Sequence, residues 1–507
     1  MTDLVTTLEQ KANDLRIHSI MSTATAGSGH PTTCMSCAEI ISTLFFHAMR
    51  YDPKNPDNPN NDRFILSKGH AAPILYAAWA ELGIISRENL LDLRKIDSDL
   101  EGHPTPRLDW IDVATGSLGQ GLSVGVGMAI NSKYLDKTDY RVYVLLGDGE
   151  TVEGSVWEAV ALASHYQLNN LIGIVDVNGI GQSQRTMYES DIDSYCRRFE
   201  SFGWRAIGVD GHNVEQILSA IDHVKGNTDQ PTMIVAKTFK GKGVSFLEDA
   251  DGWHGKAILG DQLDQALEEL GQLSTNSNVE IEMPSMVSLP TPEIGEMEPP
   301  DYQIGEEVAT RSGYGTALAK LGDVNPLVVA LDGDTKNSTY AQELMTNHSD
   351  RYFEMFIAEQ NLVGAELVCQ NGERYHLCRL LQRSLAGPMT TFECPQFHKQ
   401  TLNMLALTVE FQLVKTAPHR WDWKIYQCSD LFLTLQCFIR VTRWQQNAWL
   451  PKRRHTKELF LSERLVLTQR LFMKTASSFQ LEAVKLFAQA VRTRSLLLLL
   501  VSRFTRH

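Results

Sequence analysis

The stretch "YRVYVLLGDGETVEGSVWEAVALASHYQLNNLIGIVDVN", residues 140–178, sets the strongest constraint on the fold of this chain. Two apolar runs flank a stretch of helical length, which predicts a strand–helix–strand unit. A third apolar run, "PTMIVAKTF", follows after further helix-like sequence. Because strands that alternate with helices form parallel sheets, residues 1–270 are predicted to form a doubly wound α/β domain, with helices on both faces.

Each of the first two apolar runs ends in a residue that can bind a cation. Asp148 follows the first run between two glycines, and Asn178 closes the second. The carboxyl ends of parallel strands meet at one edge of a sheet, where ligands of such folds bind. Carboxylate and amide oxygens suit a hard divalent cation, and the helix after Gly149 would offer N–H groups to an anion. The pair therefore predicts a cation with a diphosphate, although Asp-Gly alone is also common in strand-ending turns.

The composition is that of a soluble globular protein, with 43% hydrophobic and 21% charged residues among 507. No apolar run reaches the roughly 18 residues that a membrane helix needs. The start, "MTDLVTTLEQKAND", is polar and not typical of a signal peptide. The eight cysteines lack metal-ligand spacing, which favours reduced thiols. A cytoplasmic protein is expected, with neither a membrane nor a nucleic acid as its partner.

Two further segments follow the first domain. Residues 271–302 are rich in proline and acidic residues and are predicted to form an extended linker. A helix-like stretch, "EEVATRSGYGTALAKLG", then precedes the strand-like "LVVALDGD" and the motif "FIAEQNLVG". This alternation predicts that residues 303–364 begin a second α/β domain.

Several motifs together resemble the transketolase family, of the shorter animal type. They are, in chain order, "TAGSGHPTTCMSCAEI", "RFILSKGHAAPILYA", "GHPTPRLDW", "TGSLGQGLSVGVGMA", "GDGETVEGSVWEA", "KTFKGKGVSF" and "GWHGK". The resemblance extends from residue 1 to residue 364 and implies a thiamine-diphosphate-binding fold. Residues 1–270 would form its diphosphate- and metal-binding (PP) domain, and residues 303–364 would begin its pyrimidine-binding (PYR) domain.

The resemblance also implies ligands for thiamine diphosphate and for a divalent cation, Mg²⁺ or alternatively Ca²⁺ or Mn²⁺. The cation would be held by Asp148, Asn178 and the backbone carbonyl of Ile180. Residues from several loops would line the cofactor pocket: Thr33, His70, Gly116, Ser117, Leu118, Gly149, Asn178, Gln182, Lys240 and His254. Relatives often carry serine at position 33, so the hydroxyl is retained there.

Four histidines lie in loops that contain glycine or proline: His30, His70, His103 and His254. By resemblance, His30 and His254 contact the substrate and transfer protons, whereas His103 binds substrate hydroxyls. Arg311 and Ser338 match positions that bind the phosphate of a sugar phosphate. A planar guanidinium is well suited to that role.

Glu359, within "FIAEQN", matches the glutamate that bonds to the aminopyrimidine ring of the cofactor and promotes its activation. The implied activity is that of a transketolase of the pentose phosphate pathway. A two-carbon ketol unit passes from a ketose phosphate to an aldose phosphate through a thiamine diphosphate carbanion. The glutamate and the cation sit on different domains in this family, and each site lies between two subunits, so a homodimer is implied. Outside this motif, Glu359 would be interpreted as a solvated helix residue.

The composition changes abruptly after Gly364. Only two of the 35 glycines, Gly372 and Gly387, lie in the last 143 residues, together with five of the eight cysteines. Basic residues outnumber acidic ones 21 to 9 there, whereas acidic residues outnumber basic ones 52 to 26 before. A basic, nucleic-acid-binding tail is one explanation of this charge reversal.

A slipped reading frame explains these changes together. Shifting the frame by one base forces the codons of Met389 and Thr390 to give Asp, and those of Trp421 and Asp422 to give Gly. It also permits strings such as "DHIRM", "HCGVSIGEDGP" and "GIFFIRTSRP", which resemble later transketolase segments in the right order. We therefore predict that residues 365–507 are an out-of-frame translation without a native fold. The chain as written would then lack half of the cofactor pocket and be inactive.

Other functions agree less well with these motifs. A non-catalytic transketolase relative could bind the cofactor weakly or serve as a partner subunit. Another thiamine-diphosphate enzyme, such as a dihydroxyacetone or deoxyxylulose phosphate synthase, is disfavoured by the histidine loops. A nicotinamide enzyme is poorer still, because no G-x-G-x-x-G follows the first strand in the usual setting.

Overall fold

The structure is a computed structural model, and most of its described residues precede residue 367. It describes residues 2–226, 229–274, 279–289, 292–299, 301–303 and 306–366, and the backbone of residues 375–379, 411–417 and 420–425. The predicted out-of-frame segment 365–507 therefore lies largely outside the described residues.

A parallel five-stranded sheet organises the first domain, as the sequence predicts. Its strands are β1 (Arg63–Leu66), β2 (Val142–Gly147), β3 (Leu171–Val177), β4 (Arg205–Asp210) and β5 (Thr232–Lys237). Their order across the sheet is β1-β2-β3-β5-β4. β2 and β3 are direct neighbours, with Gly147 opposite Asp176. The residues that follow these two strands, Asp148 and Asn178, therefore reach the same edge of the sheet.

Helices cover both faces of this sheet. They are α1 (Thr2–Ala26), α2 (Pro31–Ser36), α3 (Ala38–Thr43), α4 (Ala72–Glu81), α5 (Gly121–Ile130), α6 (Gly154–His165), α7 (Ile192–Ser201), α8 (Val214–Lys225) and α9 (Asp261–Leu270). Shorter π-helical turns span Leu44–Ala48 and Asn131–Asp136, and 3₁₀ turns span Gly69–Ala71, Glu88–Asp92 and Gly149–Val152. No described helix is both long and apolar enough to cross a membrane.

The central strands are apolar along their length because both of their faces are buried. In β3, Ile172 and Ile174 belong to the core beneath α1, α3, α4 and α8. Val175 and Val177, on the opposite face, belong to the core beneath α5, α6 and α7. This double burial confirms the doubly wound fold class.

The second sheet belongs to the segment that follows the linker. Its elements are α10 (Thr310–Val324), β6 (Val328–Asp332), α11 (Lys336–Thr339), α12 (Gln342–Asn347), a 3₁₀ turn (Ser349–Arg351), β7 (Tyr352–Glu354), α13 (Glu359–Glu366) and β8 (Tyr375–Arg379). The strands are parallel, in the order β7-β6-β8. β8 extends this sheet beyond the predicted boundary at residue 364. Two later strands, β9 (Phe411–Ala417) and β10 (Arg420–Ile425), pair with each other in antiparallel fashion.

Helix α13 packs closely on α5 of the first domain. A Cβ atom added at Gly127 would lie 2.3 Å from the Ala365 carbonyl oxygen, and one added at Gly364 would lie 2.4 Å from Ser123 Cβ. Glycine is therefore required at both positions, since any side chain would push the helices apart.

The segment between the two sheets contains neither helix nor strand in the residues that the structure describes between Gly271 and Gln303. It lies along the first domain. The backbone N–H of Ser274 donates to Asp14 Oδ1 at 2.8 Å, and the side-chain amide of Asn60 donates to Ser285 Oγ at 2.7 Å.

Candidate functional site

Asp148 joins the ends of the two central strands. Its Oδ1 accepts the N–H of Gly149 at 2.8 Å, and its Oδ2 accepts the N–H of Gly179 at 2.7 Å. The hydroxyl of Thr186 also donates to Oδ2, at 3.0 Å. The carboxylate is 4% exposed, so these donors replace most of its water.

Asn178 lies on the same turn. Its Oδ1 accepts the N–H of Ile180 at 3.2 Å, while its Nδ2 donates to Asp176 Oδ2 at 3.1 Å. The consecutive N–H groups of Gly179 and Ile180 thus donate to the side-chain oxygens of Asp148 and Asn178. Gly179 has a φ of 74°, which glycine adopts readily. The turn therefore brings the two predicted cation ligands together.

Asp176 anchors this turn from inside the sheet, and sequence reasoning missed it. The residue is fully buried, and its carboxylate accepts from the Lys68 ammonium and from the hydroxyls of Ser36 and Thr238. Burial raises the pKa of Asp176, but the nearby Lys68 ammonium and these donors lower it overall. A buried carboxylate needs such partners, so the aspartate within the apolar run "LIGIVDVN" was a signal that could have been followed.

The electrostatics around Asp148 favour an added cation. Burial, together with the charge of Asp176, raises the pKa of Asp148. No cationic side chain of the described residues lies within ion-pair distance of it. A divalent cation beside Asp148 and Asn178 would offset the cost of burying the Asp148 charge near Asp176. The residues present therefore fit the predicted metal.

The donor set would suit a cation that shares its coordination with a ligand. Among the described residues, no three His, Cys, Asp or Glu side chains form a metal-holding group. A cation here would depend on the Asp148 carboxylate, the Asn178 amide oxygen and the Ile180 carbonyl. Mg²⁺ typically completes such a sparse set with water and with phosphate oxygens.

Lys240 contacts the third predicted ligand. Its ammonium donates to the Ile180 carbonyl oxygen at 2.9 Å and lies 2.8 Å from His254 Nδ1. The side chain is almost completely buried, and burial, with the charge of Lys68, lowers the pKa of Lys240 to about 8. The predicted cation site and the predicted histidine loops are therefore directly connected.

Three of the four predicted histidines form one cluster. The ring of His30 lies 5.1 Å from that of His70 and 5.0 Å from that of His254, measured between centroids, and the last two are 5.5 Å apart. Burial lowers the pKa of His30 and of His254 to about 4, and that of His70 to about 2. All three imidazoles are therefore neutral near pH 7. The buried Nδ1 of His30 has no hydrogen-bond partner among the residues that the structure describes.

His103 lies against the predicted cofactor loop, residues 116–118. A Cβ atom added at Gly116 would lie 3.5 Å from the His103 ring. Burial and the charge of Arg94 lower the pKa of His103. Ser117 and Leu118 are exposed, so this loop presents side chains outward.

Glu150 fixes the end of this loop, and sequence reasoning missed it as well. Its carboxylate accepts the N–H of Gly119 at 2.8 Å and that of Gly147 at 3.0 Å, in addition to the hydroxyl of Ser67. One buried side chain thus ties the loop to the end of β2. Burial raises the pKa of Glu150, although these donors oppose the shift.

Two other predicted cofactor residues differ in their burial. Thr33 is buried in α2, and its carbonyl oxygen accepts the Lys68 ammonium at 3.2 Å. Gln182 is exposed, two residues beyond Ile180.

The remaining predicted residues lie on the second sheet. Glu359 begins α13, is half-buried, and raises the pKa of Glu158, for which burial is the larger cause. Arg311 and Ser338 are exposed, and the Arg311 guanidinium lies 5.9 Å from the Tyr340 ring. No hydrogen bond or ion pair within the described part of the chain joins these three residues to Asp148 or Asn178. The second sheet therefore shows no direct polar link of this kind to the Asp148 turn in the described part of the chain.

Family models match both sheet-containing segments. Residues 7–288 match the transketolase thiamine diphosphate binding domain. The chain belongs to the transketolase family. Residues 306–377 match the transketolase pyrimidine binding domain, which extends past the predicted boundary at residue 364. The family resemblance seen in the motifs is thereby confirmed.

Individual relatives show how far the likeness reaches. The chain is 51% identical to human transketolase over 371 residues and 52% identical to bovine transketolase-like protein 2 over 369 residues. Both matches cover 72% of this chain and 59% of the relative. The crystal structure of transketolase from Campylobacter jejuni superimposes with a TM-score of 0.65 at 26% identity, covering 74% of this chain and 65% of that one. The chain thus spans less than two thirds of the length of these transketolases.

Proposed function

We propose that this transketolase-family chain binds thiamine diphosphate through a divalent cation held by Asp148, Asn178 and the Ile180 carbonyl. The convergence of Asp148 and Asn178 on one turn is the observation that carries the proposal. The match of residues 7–288 to a thiamine diphosphate binding domain supports it independently. Mg²⁺ is the expected ion, and Ca²⁺ and Mn²⁺ have the same preference for oxygen ligands.

The diphosphate would meet cationic and neutral donors on the same side of the sheet. Lys240 supplies a charge, and His70 and His254 supply neutral imidazoles within the same cluster. Gly149 was also predicted to contact the diphosphate. Its N–H donates to Asp148 in this structure, so that contact would require the hydrogen bond to be exchanged.

When bound, thiamine diphosphate supplies an electron sink for breaking a carbon–carbon bond next to a carbonyl. Residues of this chain would bind the sugar and move protons. His30 is neutral, and its buried Nδ1 has no partner in the described part of the chain, which suits exchange of a proton with a substrate hydroxyl. His254 would share this proton transfer, and His103 would hold further substrate hydroxyls. Such proton transfer works best from groups that change protonation near the reaction pH, so bound substrate charge would have to raise the pKa of these imidazoles.

We propose the full activity of transketolases for the protein that the gene would encode without the slipped reading frame. That activity is transfer of a two-carbon ketol unit between sugar phosphates, by a cytoplasmic homodimer. Among the described residues, Glu359, Arg311 and Ser338 make no hydrogen bond or ion pair with Asp148 or Asn178, which agrees with a site completed by a second copy of the chain. We expect no ketol transfer from the chain as written, because residues 365–507 do not carry the family's later motifs.

Calorimetric titration of the full chain with thiamine diphosphate in Mg²⁺ tests the proposal. We expect saturable binding that is lost with EDTA and weakened at least about tenfold by Asp148→Asn, since a ligand charge is removed. Asp193→Asn, which changes an exposed residue of α7, serves as the matched control and should bind as the wild type does. Equal binding by Asp148→Asn and the wild type would refute the site. Turnover of xylulose 5-phosphate would refute the expected inactivity, but not the cofactor site.

A further inference from the structure

Lys240 stands at the point where the proposed cation would bind. It follows β5, and its side chain is 3% exposed. Its ammonium donates to the Ile180 carbonyl oxygen at 2.9 Å and shares a second contact, at 2.8 Å, with His254 Nδ1. The first of these groups is a proposed cation ligand, and the second is a proposed substrate ligand.

The ammonium also lies in the field of the carboxylates that would attract the cation. Both Asp148 and Asp176 act electrostatically on Lys240, yet neither forms an ion pair with it in the described part of the chain. Lys240 thus supplies positive charge to the turn without touching its carboxylates. Two cations that share one carbonyl oxygen repel each other strongly in a buried site.

We propose that Lys240 holds the place of the divalent cation in the cofactor-free chain, with its ammonium on the Ile180 carbonyl, so that a bare cation binds only by displacing it. The inference rests on the proposed function, because it takes Asp148, Asn178 and Ile180 as the cation ligands. The role assigned to Lys240 is that of a positioning and selecting residue.

A diphosphate changes the balance of this competition. It brings negative charge that the displaced ammonium can bind. Displacement of Lys240 therefore costs less free energy when cation and diphosphate arrive together than when the cation arrives alone. The site therefore favours the metal–diphosphate pair over the free metal. Because His254 shares the ammonium, displacement of Lys240 also changes the partner of that imidazole.

Binding of Mn²⁺ alone to the full chain, followed by electron paramagnetic resonance without cofactor, tests this competition. We expect Lys240→Met and Lys240→Gln to bind Mn²⁺ at least about tenfold more tightly than the wild type, because the competing charge is removed. Lys240→Arg keeps the charge and should remain close to the wild type. Lys242→Met removes a partly exposed charge that pairs with Glu248 at 3.1 Å, and should change the affinity less than about twofold because such charges are screened by solvent.

The two claims fail in different ways. Mn²⁺ affinity that is unchanged or weaker in both Lys240→Met and Lys240→Gln overturns the role of Lys240, while the cation site stands if Asp148→Asn still weakens Mn²⁺ binding. Mn²⁺ affinity that is the same in Asp148→Asn and the wild type overturns the cation site, and the inference with it. Circular dichroism identifies a variant that has not folded, and the second charge-removing variant then decides the question.

Discussion

The carboxylate of Asp176 accepts the side-chain amide of Asn178 at 3.1 Å and so determines which end of that amide faces the proposed cation site. A carboxylate can only accept hydrogen bonds, so Nδ2 must point towards Asp176. Oδ1 is then left on the side of the Ile180 N–H, which donates to it at 3.2 Å. Asp176 thus positions a predicted ligand without being one itself.

Asp176→Asn should weaken cation binding although no proposed ligand is changed. The variant removes the partner of the buried Lys68 ammonium and allows the Asn178 amide to turn over. We expect Mn²⁺ affinity to fall about 10–100-fold. Loss of one partner of a buried ion pair should also lower the free energy of unfolding by about 3–5 kcal/mol. Titration with Mn²⁺ and unfolding in urea measure the two effects.

Ser36→Ala is the matched control for that variant. It removes the hydrogen bond to Asp176, at 2.6 Å, and a long one from the Asn178 amide, at 3.5 Å, but leaves the Lys68–Asp176 ion pair and the Asp176–Asn178 hydrogen bond in place. The free energy of unfolding should fall by only about 0.5–1.5 kcal/mol, and Mn²⁺ affinity should stay near that of the wild type. If Asp176→Asn bound Mn²⁺ as tightly as Ser36→Ala, the positioning role would be wrong.

Gly127→Ala should separate α5 from α13. The new methyl group would lie 2.3 Å from the Ala365 carbonyl oxygen, so the helices would have to move apart. We expect the free energy of unfolding to fall by about 1–3 kcal/mol, as for other overpacked positions. Gly313→Ala in α10 is the control, because its methyl group would meet nothing within 4 Å and should add about 0.5–1 kcal/mol of helix stability. Equal urea midpoints for the two variants would contradict this packing.

Stability should fall as the pH is lowered from 7 towards 4. Burial lowers the pKa of His30, His70 and His254 below the ordinary value of 6.5, so the unfolded chain takes up protons in this range and the folded chain does not. Their contribution to the free energy of unfolding is complete above pH 6.5 and is lost as the pH falls below that value. The carboxyl groups of Asp148 and Glu150 act in the opposite sense, because burial raises the pKa of each.

His70→Asn isolates this effect, since it removes the most strongly shifted of the three imidazoles. Unfolding in urea at several pH values should show a smaller loss of stability between pH 7 and pH 5 for the variant than for the wild type. A slope against pH that is the same in both chains would show that His70 is not held neutral by the fold.

Residues 365–507 are predicted to be translated out of frame, which can be tested on the transcript. Sequencing the transcript across codons 360–370 should reveal a missing or added base, after which the frame encodes the later transketolase motifs. Peptides from residues 365–507 in a tissue digest would contradict it. The strand Tyr375–Arg379 shows that the second sheet continues past residue 364. Sequencing the transcript will also give the codon at which the frame changes.

The sequence predicted the parts of the site that follow from strand order. The apolar runs place Asp148 and Asn178 at neighbouring strand ends, and the structure brings them to one turn. The support beneath them was not predictable in the same way. Asp176 forms hydrogen bonds with Lys68, 108 residues away in the sequence, and with Ser36, 140 residues away. No local periodicity relates such positions.

Glu359 shows a different limit of sequence reasoning. Its motif marks it by resemblance, but among the described residues it raises the pKa of Glu158, for which burial is the larger cause, and makes no hydrogen bond or ion pair with Asp148 or Asn178. The same holds for Arg311 and Ser338, which are both exposed; the Arg311 guanidinium lies 5.9 Å from the Tyr340 ring. If these residues act across two subunits, as the resemblance implies, one chain cannot bring them together.

The most direct test is the position of Mn²⁺ in crystals of the full chain grown with thiamine diphosphate, located by anomalous scattering. We predict a single peak within about 2.5 Å of oxygens of Asp148, Asn178 and the Ile180 carbonyl, with the Lys240 ammonium withdrawn from that carbonyl. A peak elsewhere, or no peak at this turn while the cofactor is bound, would contradict the assignment of the cation site.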